Sequence, residues 1–323
     1  MVVGNGLSID LWLHAHGRTW PRWNPSAPLG FPVPVDDRGS PLISAFPAFG
    51  RAVALERARR CRWVRRGWQR PSDFTIITSA VDRERRNSVK RNPHLPKRDP
   101  RFLAVVEQAR RHLAVGYTAL QLERFDRVIN DDWQWVRWAR QYHTSIRMVV
   151  SFNYDLVLES ALLRGGGRFA RIGISDEHGT PVFKPHDSID FGPAVNLGNF
   201  APSFILNSDV PQRRLTRSEM YQYRTESNLI LPGELSWLGG LGRIDDGYRQ
   251  WGAAAPSFTH CVFVGVSYWE VDRPEIDTLI ASLPPTTKTF VVNPSPSKSF
   301  LNALRRRVAD VIVCGTAAPT IGA

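Results

Sequence analysis

The alternation of short apolar runs with helical segments near the end of the chain constrains the fold more than any other feature. The runs Cys261–Val266, Lys288–Asn293 and Asp310–Cys314 have the composition of buried strands, and 274–283 and 297–308 between them have helical spacing. Strands that are apolar throughout and alternate with helices are typical of a parallel sheet covered on both faces. The sequence therefore predicts an α/β protein with a Rossmann-like, doubly wound parallel sheet, in which ligands bind beyond the carboxyl ends of the strands.

The first half of the chain begins with a short stretch that has the strand–turn–helix pattern of the same fold. A long segment with a different, basic and mainly helical composition follows it. Residues 2–12 have the pattern of a short strand, a glycine-rich turn and a helix, and Ile146–Phe152 predicts a buried strand followed by a helix. Residues 169–191 predict a hairpin-like pair of strands. We therefore expect residues 1–12 and 144–323 to form the Rossmann domain. Residues 13–143 are expected to be a basic, mainly helical insertion that acts as a lid or an assembly surface, with irregular structure over 20–50 and a loop over 84–100.

The positive charge of the chain is concentrated in this insertion. The whole chain has 42 Lys and Arg against 30 Asp and Glu, a net charge of +12. Residues 51–112 hold 18 basic and 6 acidic residues, and 18 − 6 = +12, so this stretch alone accounts for the net charge. Arginine-rich surfaces suit phosphate groups, so nucleic acid is one candidate partner, for example through Arg59, Arg60, Arg65 and Arg66. An acidic protein partner or an ordinary solvated helix face explains the segment equally well.

The composition also predicts what the protein lacks. No run of about 18 apolar residues is present, so no membrane span is expected. The first residues do not have the pattern of a signal peptide. The three cysteines, Cys61, Cys261 and Cys314, are too far apart for a disulfide framework or a zinc site. We therefore expect a cytoplasmic protein without a metal.

Small or polar residues follow each predicted strand, which is where a Rossmann-like fold places its ligand. The six segments are Gly4-Asn5-Gly6-Leu7-Ser8, Ser151-Phe152-Asn153-Tyr154-Asp155, Lys184-Pro185-His186-Asp187-Ser188, Gly265-Val266-Ser267, Asn293-Pro294 and Cys314-Gly315-Thr316. Each one alone has a structural explanation, since glycines make tight turns, Asn and Asp cap helices, and a loop histidine is often simply hydrogen-bonded. It is much less expected that six successive strand ends would all carry such residues by coincidence than that one of them would.

This ordered set resembles the sirtuin superfamily, and within it the sirtuin-like NADase domains of bacterial antiviral defence systems. The resemblance covers residues 1–12 and about 144–316. It implies that Gly4, Asn5, Gly6 and Ser8 hold the phosphates of NAD. It also implies that Asn153 orients the ribose and the attacking water, that Asp155 contacts the nicotinamide amide, and that His186 is the catalytic histidine. By the same resemblance, Gly265 and Ser267 form a second phosphate turn, and Asn293 holds the adenosine ribose.

Three departures from the family pattern bear on the reaction. Asp187 stands where the family usually has glycine, and Phe152 stands where it usually has a polar residue. Residues 187–260 contain no cysteine, whereas the protein deacylases of this family carry a four-cysteine zinc module there. The resemblance thus favours NAD cleavage with water as the acceptor over deacylation.

The resemblance implies an NAD+ glycohydrolase that releases nicotinamide and ADP-ribose and depletes NAD during phage infection. NAD is its substrate. A homo-oligomer is expected, and the family suggests an activating partner such as a HerA-like ATPase or a short Argonaute. Two alternatives stay open: a regulatory module that binds NAD or ADP-ribose without turnover, and a nucleic-acid-binding scaffold subunit that uses the arginine-rich segment.

Overall fold

The computed structural model describes residues 1–17, 27–31, 33, 40–64, 71–94, 99–174, 177–193, 212–221, 229–232, 234 and 242–321, with side chains left undescribed at 61–64, 193 and 221. The side chains of Arg65 and Arg66 therefore lie outside the described residues.

A seven-stranded sheet in which every pairing is parallel forms the centre of the molecule. Its strands are β1 (Val2–Val3), β2 (Val149–Ser151), β3 (Phe169–Arg171), β4 (Thr180–Phe183), β7 (His260–Val264), β8 (Lys288–Val292) and β9 (Val311–Val313). They lie side by side in the order β3-β4-β2-β1-β7-β8-β9. A separate antiparallel pair is formed by β5 (Phe191–Pro193) and β6 (Gln212–Arg214). The expected α/β class with a Rossmann-like parallel sheet is confirmed.

Helices cover both faces of this sheet. The helices before β2 are α1 (Gly6–His16), α2 (Pro47–Val64), α3 (Asp73–Arg91), α4 (Pro100–Leu120), α5 (Asp126–Val128) and α6 (Gln134–Tyr142), with a π-helical turn at Gln121–Phe125. The helices after β2 are α7 (Val157–Arg164), α8 (Arg217–Tyr221), α9 (Gly242–Ala254), α10 (Arg273–Ser282) and α11 (Lys298–Arg307). Short 3₁₀ turns lie at Pro28–Gly30, Leu42–Ala45, His143–Ser145 and Ala255–Ser257.

Neighbouring residues of each strand pack into two different cores, as the pleat requires. Val3 and Val149 belong to a core that also contains side chains of α1, α2, α3, α4, α6 and α7. Val2 and Val150 face the other way, into a second core formed with α9, α10 and α11. The helices of segment 47–142 therefore share one continuous core with the first strand and helix of the sheet.

Two local predictions are wrong. Residues 169–191 do not form a hairpin, because β3 and β4 pair in parallel. The backbone amide of Arg171 donates to Glu177, the turn glycines Gly173 and Gly179 have φ of 97° and 134°, and the amide of Thr180 then bonds to the carbonyl of Arg168 at the start of β3.

Residues 84–91 are not a loop either, because α3 continues to Arg91. The helix begins at an N-cap, Ser72, whose hydroxyl accepts from the amide of Thr75 at 3.1 Å. Ion pairs along and beyond the helix stabilise its polar half: Arg85 and Arg86 with Asp82, and Arg91 with Glu84 and Asp99. This part of the helix was not predicted because residues 84–91 are mostly polar and lack the regularly spaced apolar residues that indicate a helix.

The loops that follow β1 and β7 touch backbone to backbone. Gly6 donates from its amide to the carbonyl of Gly265 at 3.1 Å, and the amide of Gly4 bonds to the carbonyl of Val264 at 2.9 Å. Gly265 adopts φ of 56°, in the region that favours glycine. A Cβ on Gly6 would lie 2.3 Å from the Cα of Gly265, so only glycine fits. The chain order reverses between these two strands, and this is where parallel sheets of this kind open a crevice.

We predict that Gly6→Ala lowers the free energy of unfolding by about 3 kcal/mol or more, because the added methyl group must displace backbone rather than a side chain. Gly252→Ala, in helix α9 with open space around the added Cβ, should instead be neutral or raise stability by up to about 1 kcal/mol. Urea unfolding of both variants measures the difference. Equal stability of the two would contradict the close contact between the loops.

Candidate active site

A cavity of about 420 Å³ opens at the carboxyl ends of the parallel strands. Its volume lies in the range of small-molecule sites. It brings together the ends of β1, β2, β4, β7, β8 and β9. The predicted site residues that line it are Gly4, Asn5, Gly6, Asn153, Asp155, His186, Gly265, Ser267 and Asn293. Ser8, the remaining predicted site residue, does not line the cavity.

Ser8 instead joins the two polar residues that follow β2. Its hydroxyl donates to Oδ2 of Asp155 at 2.6 Å and accepts from Nδ2 of Asn153 at 3.2 Å. All three side chains are buried, and Asn153, with 6% of its surface exposed, is the most accessible of them. Ser8 therefore fixes the orientation of the amide and the carboxylate from behind, which the sequence did not reveal.

The carboxylate of Asp155 lies in a buried position that changes its acidity. Burial raises the pKa of Asp155, while the hydrogen bond from Ser8 and the charge of Lys184 oppose the rise. Oδ1 also accepts from the amide of Val157 at 3.2 Å, at the start of α7. The expected capping role of Asp155 is thus present, and it coexists with a position on the cavity wall.

Lys184 fastens the loop after β4 to the loop after β2. Its buried ammonium donates to the backbone carbonyl of Asp155 at 2.7 Å and to Oε1 of Glu159 at 2.8 Å. A buried ion pair of this kind is costly to break, because the remaining partner would be left charged and unpaired. The contact sets the distance between the loop that carries His186 and the loop that carries Asn153.

Asp187 adopts the backbone geometry that glycine favours. Its φ is 59°, and it is the only residue other than glycine with positive φ in the described part of the chain. Asp tolerates this conformation better than most residues. Its carboxylate pairs with Arg243 of α9 through Nη2 at 2.5 Å and Nε at 3.2 Å. The ion pair with Arg243 therefore holds the loop in this conformation.

His186 is buried against aromatic and acidic groups. Its side chain is 3% exposed, and its ring centre lies 5.4 Å from that of Phe152 and 6.1 Å from that of Tyr154. Nε2 lies 3.2 Å from Oε2 of Glu275 and 3.9 Å from Oδ1 of Asp272. Burial alone would lower the pKa of His186, but the carboxylates of Glu275 and Asp272 and the Phe152 backbone outweigh it and raise the pKa to about 9. The imidazole is therefore protonated at neutral pH.

Sequence reasoning missed Asp272 and Glu275, although a signal was present. The segment Asp272-Arg273-Pro274-Glu275 places acidic residues around the first turn of a helix with proline near its start, which is a common helix beginning. Nothing in the sequence pairs that helix with a histidine eighty-odd positions earlier. Residues 13–143 were expected to act as a lid or an assembly surface, but none of their side chains was named as part of the site. Phe74, Tyr117 and Trp135 come from α3, α4 and α6 and line the cavity.

The glycines of the two turns are engaged in backbone contacts. The amides of Gly4, Gly6 and Gly265 donate to carbonyls of β7, its loop and β8. Their small size therefore serves the close approach of the loops. Asn5 and Ser267 remain on the cavity wall, and the side chain of Asn5 makes no capping hydrogen bond to α1. Asn293 accepts from the amide of Ser295 at 2.9 Å, which forms the turn after β8.

Several arginines of the arginine-rich segment pair with its own acidic residues, and the segment still carries an excess of 12 positive charges. Glu56 pairs with Arg60 and Arg83, and Asp82 pairs with Arg85 and Arg86. Arg60, one of the arginines considered for nucleic-acid binding, also donates to Ser79. These contacts support a structural role for the four arginines that make them.

Two further features are absent from the described residues. None of their helices combines the length and apolarity needed to cross a membrane. They contain no group of three or more His, Cys, Asp or Glu side chains arranged to hold a metal ion. No protein-family model matches the chain, and no curated protein matches it.

The raised pKa of His186 predicts a loss of stability in alkaline solution. A histidine whose pKa is higher in the folded than in the unfolded protein stabilises the fold fully below pH 6.5, and this contribution disappears as the pH rises through 9. The free energy of unfolding of the wild type should therefore fall by up to about 3 kcal/mol more than that of His186→Gln across this window. The exposed His178 gives the control: His178→Gln should follow the wild type. Parallel curves for wild type and His186→Gln would contradict the ion pairing.

Proposed function

We propose that the protein is an NAD+ glycohydrolase that breaks the bond between nicotinamide and ribose with water as the acceptor. The observation that carries the proposal is the convergence of Asn153, Asp155 and His186, from two distant parts of the chain, on one cavity at the reversal of strand order. That location is where Rossmann-like sheets bind nucleotides. The motif resemblance to sirtuin-like NADases supplies the choice of NAD.

In the proposed reaction the C1′–N bond breaks and its electron pair goes to the pyridinium nitrogen, so nicotinamide leaves as a neutral molecule. The ribose passes through an oxocarbenium-like state, as in glycoside hydrolysis. Water then forms the new C1′–O bond and loses a proton. The products are ADP-ribose, nicotinamide and one proton.

We assign both Asn153 and Asp155 to the water, so that for Asp155 this role replaces the contact with the nicotinamide amide that the resemblance implies. Because Nδ2 of Asn153 donates to Ser8, the amide oxygen is the atom left to accept a hydrogen bond from the water or a ribose hydroxyl. Asp155 is linked to Asn153 through the same hydroxyl, and burial raises its pKa, which makes it a better proton acceptor. We assign to Asp155 the proton that the water releases.

In this proposal His186 acts as a proton donor and not as a base. An imidazolium with a pKa of about 9 holds its proton at neutral pH and can donate to a ribose hydroxyl. Its charge is outweighed by the carboxylates of Asp272 and Glu275. The cluster as a whole is therefore negative, and it stabilises the positive charge that develops on the sugar.

The first test is release of nicotinamide by the purified protein and its variants. Asn153→Ala and His186→Ala should each lower turnover by about a hundredfold or more, because each removes a group that acts on the reacting atoms. The exposed His178→Ala should retain wild-type activity, and circular dichroism checks that all variants are folded. NAD cleavage retained in both site variants would refute the assignment.

A second prediction concerns NADP+. No lysine or arginine in the described part of the chain lines the cavity. The 2′-phosphate of NADP+ adds negative charge without a basic partner, which costs binding energy. The ratio kcat/KM should therefore be about tenfold or more higher for NAD+ than for NADP+. Equal kcat/KM values for the two dinucleotides would contradict the absence of a basic partner for the 2′-phosphate.

The proposal extends to a role in antiphage defence, through depletion of cellular NAD. The family resemblance supports this role together with an oligomer and an activating partner. Nicotinamide release should then increase when the protein encoded beside this one is added. A full rate from the isolated chain at every protein concentration would argue against an activating partner.

A further inference from the structure

The charge of the cavity wall is opposite to that of the chain. The ionisable acidic and basic residues that line it are Asp10, Asp155, His186 and Asp272, and no lysine or arginine joins them among the described residues. The chain as a whole carries +12. A wall with three carboxylates and one histidine favours a ligand with a positive charge.

The acidity is concentrated at the corner that His186, Asp272 and Glu275 form. With His186 protonated and both acids ionised, the three side chains carry a net charge of −1. The neighbouring charges are already compensated: Asp187 pairs with Arg243, and Lys184 pairs with Glu159. The corner therefore retains an excess negative charge within the cavity.

One carboxylate oxygen of this corner is buried without a hydrogen bond. Among the described residues, Oδ1 of Asp272 has no hydrogen-bond partner and lies 3.9 Å from Nε2 of His186, which itself pairs with Oε2 of Glu275 at 3.2 Å. Glu275 accepts from the hydroxyl of Tyr248 at 3.4 Å. Asp272 is the N-cap of α10 but makes no capping hydrogen bond with its side chain. Its carboxylate is thus not explained by the helix, and buried polar atoms without partners commonly await a ligand.

A row of aromatic rings leads from this corner along the same cavity. The ring centre of Tyr154 lies 6.1 Å from that of His186, the centre of Phe74 lies 6.5 Å from that of Tyr154, and the centre of Trp269 lies 6.4 Å from that of Phe74. All of them line the cavity. Aromatic rings beside carboxylates are the combination that attracts a flat organic cation, through cation–π contact and charge.

We propose that Asp272, supported by Glu275 and the rings of Phe74, Tyr154 and Trp269, forms a subsite for an aromatic cation. In the proposed reaction this cation is the pyridinium ring of NAD+, so the assignment of the ring's identity rests on the proposed function. The subsite loses its attraction when the C1′–N bond breaks, because nicotinamide leaves uncharged. Binding of the cation itself needs no turnover and can be tested separately.

The experiment compares two ligands of similar shape, the cation 1-methylnicotinamide and neutral nicotinamide, by isothermal titration calorimetry with the full chain. The wild type should bind the cation about tenfold more tightly or better. Asp272→Asn, which keeps the shape of the side chain, should abolish most of this preference and leave the affinity for nicotinamide nearly unchanged. Glu270→Gln removes an exposed acid from the same loop and serves as the matched control, with wild-type binding expected.

The outcomes separate this proposal from the proposed function. Equal affinity for the two ligands in the wild type, or an unchanged preference in a folded Asp272→Asn, would overturn the subsite even if NAD is hydrolysed. A preference for the cation that depends on Asp272 would support the subsite even if no nicotinamide is released from NAD. In that second case the hydrolysis proposal alone would fail.

Discussion

The backbone contact between the loops after β1 and β7 is the constraint on which the rest of the site depends. Gly6 and Gly265 approach so closely that neither position has room for a Cβ. The contact joins the two halves of the sheet at the point where the strand order reverses. It thereby fixes where α1 begins, and α1 carries Ser8 to Asn153 and Asp155. The same contact leaves the crevice beyond the strands open for a nucleotide.

Around this fixed point the site is built from buried charges that hold one another. Lys184 joins the loops after β2 and β4, and Arg243 holds Asp187 in a backbone conformation that a residue with a side chain rarely adopts. Glu275 and Asp272 keep His186 protonated. Such contacts add little to stability beyond what apolar packing would provide, but they are costly to break singly. They therefore favour one arrangement of the cavity wall over alternatives.

The sequence predicted the fold class and most of the cavity wall because both depend on local signals. Apolar runs such as Cys261–Val266 identify buried strands, and polar residues after them must lie at one edge of a parallel sheet. The hydroxyl of Ser8 was assigned to phosphate because its partners lie about 145 residues away. The acids that raise the pKa of His186 and the pairing direction of β3 also depend on tertiary contacts. The charge of segment 51–112 did not show which arginines have partners: Arg60, Arg83, Arg85 and Arg91 pair with acids of the same segment.

The central claim is that the ribose of NAD+ lies between the side chains at positions 153 and 186. A crystal structure of Asn153→Ala soaked with NAD+ tests it most directly, because slow turnover would preserve the intact dinucleotide. We expect density for the nicotinamide ribose beside His186, with the pyrophosphate over the contact between Gly6 and Gly265. NAD+ bound at another surface while this cavity stays empty would contradict it.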